Sequence, residues 1–116
     1  MGNIDTMRLD YSVRHQLALH LPADALAELL RRQIISLKKT MVELETAVQG
    51  NESEHVVACA HHLAGAAAMA GFGCLAAAAR RLDKPGELTI SDSSMDLELL
   101  RNEWMATRSA AEQSIE

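Results

Sequence analysis

Residues 59–83 read CAHHLAGAAAMAGFGCLAAAARRLD, a stretch rich in alanine, free of proline and divided by Gly71 and Gly73. Alanine is the best helix former, and glycine lets a helix close in a tight junction, so the run predicts two helices packed closely about residues 71–73. At about 100° per residue the first helix separates into faces. Val56, Cys59, Leu63, Ala66, Ala67 and Ala70 gather on one side as a core stripe. His61 lies opposite, with Glu54, Ala58, Gly65 and Ala68 on its own side. Bulky neighbours would keep another protein's surface away from an imidazole there, and small ones admit it. The plain alternative is a solvated histidine on an alanine-rich helix.

Upstream, Pro22 suits the first turn of a long helix, because its missing N–H has no partner to lose there. Leu26, Leu30, Ile34, Leu37, Met41, Leu44 and Val48 step by three or four along it, an amphipathic stripe. Arg31, Lys38, Lys39, Glu43 and Glu45 occupy other faces as a solvated surface. Gly50 ends the helix, and Asn51 with Glu54 is spaced as a capping box for the next, at about 52–70. Asp10 or Ser12 is placed to cap a short leading helix to about His20, with Val13, Leu17 and Leu21 inward. Downstream, Leu75, Ala78, Ala79 and Leu82 line a helix to about Lys84, stopped by Pro85-Gly86. Residues 87–93, ELTISDS, form a polar connection. Ser93 or Ser94 then caps a last helix to about Ile115, with Leu97, Leu100, Trp104, Thr107, Ala111 and Ile115 inward. Trp104 reads as a core anchor. The expected fold is all-α: an antiparallel four-helix bundle with a short additional N-terminal helix, one domain over residues 1–116.

Composition supports this reading. The 116 residues are 48% hydrophobic but only 3% aromatic, so the core must be built from small side chains on helices that approach closely. A net charge of −5 argues against a nucleic-acid surface. No apolar run reaches the ~20 residues needed to span a bilayer, and no secretory signal is visible. Cys59 and Cys74 fall in helical, alanine-rich sequence, where cysteine is usually a small apolar residue, and no disulfide framework is present. A cytoplasmic location fits. The opening MGNIDT matches the N-myristoylation pattern, but that pattern is short and common, and a frayed terminus accounts for it.

AHHLAG at 60–65, Gly71, Leu75 and RLD at 81–83 resemble the histidine-containing phosphotransfer (HPt) domain of bacterial two-component signalling. Its signature runs Ala-His-x-Leu-Lys-Gly, small residues, Gly, then Leu and Leu-Glu at helical spacing. The resemblance implies that His61 is the phosphorylated histidine, Leu63 a core residue, Gly65 the small residue under a docking partner and Gly71 the close of the histidine helix. Ala58, Ala64 and Ala68 would complete the docking surface. The family's usual lysine, three residues after the histidine, is Ala64 here; that lysine is thought to help hold the phosphoryl group, and Arg80 or Arg81 is a candidate substitute. The implied partners are receiver domains of response regulators or a hybrid sensor histidine kinase, with no nucleic acid and no membrane. The chain would act as a monomeric phosphocarrier with no kinase activity of its own. It would bind no cofactor or metal, Mg²⁺ coming from the receiver. Met1 suits a free-standing protein, though a domain cut from a hybrid kinase would look the same.

An imidazole suits this chemistry, being nucleophilic near neutral pH and able to give up a phosphoryl group again. Phosphoryl transfer asks mainly for position and charge compensation, so a bare histidine on a rigid helix suffices as carrier. His62 is adjacent but about 100° around the helix. The Ala60–Gly65 register selects His61. Two readings compete. One is a degenerate module that binds a receiver or kinase without relaying phosphate, motivated by Ala64. The other is a metal site on His55, Cys59 and His62, which share a stripe at i, i+4 and i+7, with Cys74, His15 or His20 as a fourth ligand.

Overall fold

The computed structural model describes Leu9 and residues 11–83 and 90–115. Among these residues it contains five helices and no strand: α1 (Tyr11–Ala18), α2 (Ala23–Gln49), α3 (Ser53–Met69), α4 (Gly73–Arg80) and α5 (Ile90–Ile115). The expected MGNIDT pattern, the Pro85-Gly86 stop and residues 87–89 of the expected polar connection lie outside the described residues, while its residues 90–93 are helical rather than connecting. No described helix is long and apolar enough to cross a membrane.

The stripe on α2 is where the spacing placed it. Leu30, Ile34, Leu37, Met41 and Leu44 are buried, and they meet Val56, Cys59, Leu63 and Ala67 of α3 in one cluster. Leu75, Ala76, Ala79 and Leu82 enter the cluster from α4 and its terminal turn, and Leu97, Leu100, Trp104 and Ala111 enter from α5. Consecutive helices from α2 onward pack side by side, and α5 returns to α2, closing the four-helix bundle. Phe72, in the α3–α4 junction, is 1% exposed and is one of the largest side chains fully buried. A loop residue has no periodicity to announce it, which is why the helical pattern passed over it.

Besides α4, which ends at Arg80 rather than at about Lys84, helix ends depart from expectation in three places. Pro22 sits at the cap position of α2 rather than inside its first turn, and its carbonyl accepts the Leu26 N–H. The capping box on Asn51 and Glu54 does not form, because Asn51 is already used to close α2. Its φ of 55° is left-handed, and Asn51 N–H and Glu52 N–H donate to the carbonyls of Val48 and Ala47. That is a Schellman closure with asparagine in the left-handed place and Gly50 at an ordinary φ of −84°. Glu52 is left as the α3 cap, without a side-chain hydrogen bond. Finally, α5 begins at Ile90, so Ser93 and Ser94 lie inside the helix.

Gly71 closes α3 as expected. Its φ is 82°, and Gly71 N–H and Phe72 N–H donate to the carbonyls of Ala68 and Ala67. The chain thereby reverses within residues 70–72 and sends α4 back along α3. The alanines at 60, 64 and 67 of α3, and at 76 and 79 of α4, are all buried. Small side chains let two helices approach this closely, so alanine content sets the position of α4.

Candidate functional site

His61 is in the middle of α3 with its side chain 80% exposed. Ala58, Gly65 and Ala68 are exposed beside it, as the wheel places them. A Cβ added at Gly65 would meet no heavy atom within 4 Å. The glycine therefore relieves no clash inside this chain, although a glycine within a helix costs about 0.5–1 kcal/mol relative to alanine.

Ala64, the fourth small residue expected on the docking surface, is not there. It is 5% exposed and belongs to the core cluster. It lies only about 60° around α3 from His61, but on the flank that turns toward α4. The edge of the packed seam falls between the two residues.

The imidazole is held from outside its own helix. His61 Nδ1 lies 2.7 Å from Asp83 Oδ2, in the turn that follows α4. An ionised carboxylate only accepts, so Nδ1 carries the hydrogen and donates it, and in the neutral ring the lone pair is then on Nε2. Asp83 is 23% exposed, so the acceptor is more shielded than the ring it holds. The turn is fixed by Leu82 N–H to Ala79 carbonyl and Asp83 N–H to Arg80 carbonyl, while Leu82 is fully buried and pins it to the core. Asp83 was not among the expected site residues. The signal for it is symmetry: residues 61 and 83 are equally distant from Phe72, so a hairpin of two helices folded there sets them opposite each other.

Arg81 points the other way, with its guanidinium 3.7 Å from Asp96 on α5. Of the proposed metal ligands, Cys59 Sγ and His55 Nε2 approach to 3.7 Å, while His62 is exposed. No group of three or more His, Cys, Asp or Glu among the described residues is arranged to hold a metal ion. Burial, with a smaller contribution from the Glu43 charge, holds the Cys59 thiol above its ordinary pKa, so it is protonated at neutral pH.

No curated protein matches the chain by sequence. The fold is similar to the crystal structure of the HPt domain from the Hpt sensor hybrid histidine kinase from Shewanella, with a TM-score of 0.75 at 19% identity. The similarity covers 97% of this chain and 95% of that one. The sequence matches the Hpt domain family over residues 28–110, which take in all of α3 and α4 with most of α2 and α5. The chain therefore belongs to the Hpt domain family, and its role is histidine phosphotransfer within a phosphorelay.

Proposed function

We propose that His61 is the phosphoacceptor, exchanging a phosphoryl group with the aspartate of a receiver domain through Nε2. The observation that carries this reading is the 2.7 Å contact between Nδ1 and Asp83 on a ring that is otherwise exposed. Donation from Nδ1 to the carboxylate supports the reading, because in the neutral ring it leaves the lone pair on Nε2. The Nε2 lone pair attacks phosphorus, the P–O bond to the aspartyl carboxylate breaks, and the carboxylate departs with the bonding electrons. Nδ1 keeps its hydrogen throughout, and in the reverse direction the ring leaves as neutral imidazole. The product ring carries a positive charge while Nδ1–H and phosphorus are both attached, and the Asp83 carboxylate lies against it. The receiver brings the Mg²⁺. A monomeric, cytoplasmic phosphocarrier without autonomous kinase activity fits these requirements.

Docking over Ala58, His61, Gly65 and Ala68 follows from the same surface. Gly65 weakens its helix with no steric return inside the chain, and a partner backbone approaching closely would supply one. The test is phosphate transfer from a phosphorylated receiver domain to wild type and to His61→Gln, following acid-labile phosphate. Wild type should label and His61→Gln should not, with helicity and melting temperature nearly unchanged, since an exposed side chain contributes little to stability. Full labelling of His61→Gln refutes the assignment. A wild-type chain that binds receivers yet accepts phosphate from none is the degenerate docking module instead.

A further inference from the structure

Phosphorylation of His61 would place two anionic groups on one imidazole, the phosphoryl group on Nε2 and the Asp83 carboxylate at Nδ1. Helix α3 contains no lysine or arginine to offset them. Resting on the reading of His61 above, we infer that Arg80 is the phosphoryl-binding cation, delivered from α4 across the α3–α4 seam.

Three observations point to Arg80. The first is register. Helices α3 and α4 run antiparallel about Phe72, and Asp83 stands opposite His61, so Arg80 stands opposite residue 64, one turn along from the imidazole. The second is direction. The Asp83 N–H donates to the Arg80 carbonyl, an i to i+3 bond of the 3₁₀ type, which brings side chains three apart onto one edge. Asp83 faces His61, so Arg80 rises along the same edge, about 6 Å away along the axis. The third is the fate of its neighbour. Arg81 turns to α5 and Asp96, which assigns the other edge of this turn to a structural ion pair. Arg80 itself is exposed.

Burial of Ala64 belongs to the same arrangement. A long side chain at position 64 would start inside the packed seam, whereas alanine lets α4 close over it. The charge then comes from the opposite helix at the same level. A guanidinium suits the task, because its planar fork of N–H donors matches two phosphoryl oxygens.

The experiment uses phosphoramidate as the donor, so no receiver is required. Nε2 takes the phosphoryl group as the P–N bond breaks and ammonia leaves. The steady-state level and half-life of phosphohistidine are measured by ³¹P NMR in wild type, Arg80→Ala, Arg80→Lys, Lys84→Ala and His61→Gln. Arg80→Ala should lower the level by about two- to fivefold, the size of an exposed ion pair. Arg80→Lys should recover much of the loss, and added salt should depress the wild-type level while leaving Arg80→Ala nearly flat. A purely structural arginine would show neither the lysine rescue nor the salt response. An unchanged Arg80→Ala protein, lysine no better than alanine, or a loss confined to Lys84→Ala overturns the inference while His61 stands. An unlabelled wild type, or a labelled His61→Gln, removes the His61 reading and this inference with it.

Discussion

Asp83→Asn isolates the device on which the proposed chemistry depends. The substitution keeps the shape of the side chain and removes its charge. In the native site the carboxylate can only accept, so the hydrogen is forced onto Nδ1 across 2.7 Å. An amide offers two poses. Its oxygen accepts from Nδ1–H as before, or its NH₂ group donates to a bare Nδ1, which stabilises the tautomer with the hydrogen on Nε2 and silences the nucleophile. A hydrogen bond to a charged group contributes about 1.5–3 kcal/mol when shielded. The imidazole is 80% exposed, so the range for solvent-screened pairs applies, up to about 1 kcal/mol. Since about 1.4 kcal/mol is tenfold, the expected loss is about fivefold.

The assay is the single-turnover rate of phosphate transfer from a labelled receiver domain at saturating concentration, which separates chemistry from docking. Receiver affinity and thermal midpoint should stay at wild-type values, because Asp83 touches His61 from the rim of the fold. Long-range ¹H–¹⁵N spectra of the imidazole supply the independent check. Wild type should show the Nδ1–H form, and Asp83→Asn a mixture. A wild-type ring in the Nε2–H form, or an unchanged rate in the variant, refutes the reasoning. So does a loss of a hundredfold or more, because the carboxylate would then take part in the reaction rather than pose the ring.

The remaining predictions concern the surface, the core and the thiols. Gly65→Arg should leave the bundle as stable as wild type or up to about 1 kcal/mol more stable, because a Cβ there meets open space and arginine is the better helix former. Its receiver affinity, by titration calorimetry, should fall at least about tenfold, or roughly 1.4 kcal/mol; unchanged affinity places the interface elsewhere. Leu63→Ala deletes a fully buried side chain on the helix of His61 and should cost about 2–5 kcal/mol, read as a lower urea midpoint with an unchanged slope. Iodoacetamide at pH 8 should modify the partly exposed Cys74 well before Cys59, whose thiol is buried and held above the ordinary value of 9.0, as peptide mass spectrometry would show. The same shift makes folding stability fall only above about pH 9, where the unfolded chain loses that proton first.

What the sequence made legible follows from what a helical wheel contains. Periodicity specifies a direction from each helix axis toward its nearest packed neighbours. That was enough for the α2 stripe from Leu30 to Leu44 and the exposed row of Ala58, His61, Gly65 and Ala68, while Gly71 as the close of α3 was implied by the family resemblance rather than by the wheel. A wheel says nothing about where a second neighbour ends. His61 and Ala64 differ by about 60°, yet one is 80% exposed and the other 5%, because α4 covers one flank of α3 and stops short of the other. Asn51 shows a different limit. Two motifs claim it, the close of α2 and the cap of α3, and local spacing cannot rank them; the left-handed closure satisfies two backbone donors and takes the residue. Asp83 needs the step between these two kinds of information. Its partner is set by where the chain reverses. Once Gly71 and Phe72 are known to hold the turn, counting equally outward along an antiparallel pair brings Asp83 to His61 and Arg80 to Ala64. The chemistry of the site thus lies in the register between two helices, and the alanines that look featureless in the sequence are what let those helices come close enough for that register to place a carboxylate on an imidazole.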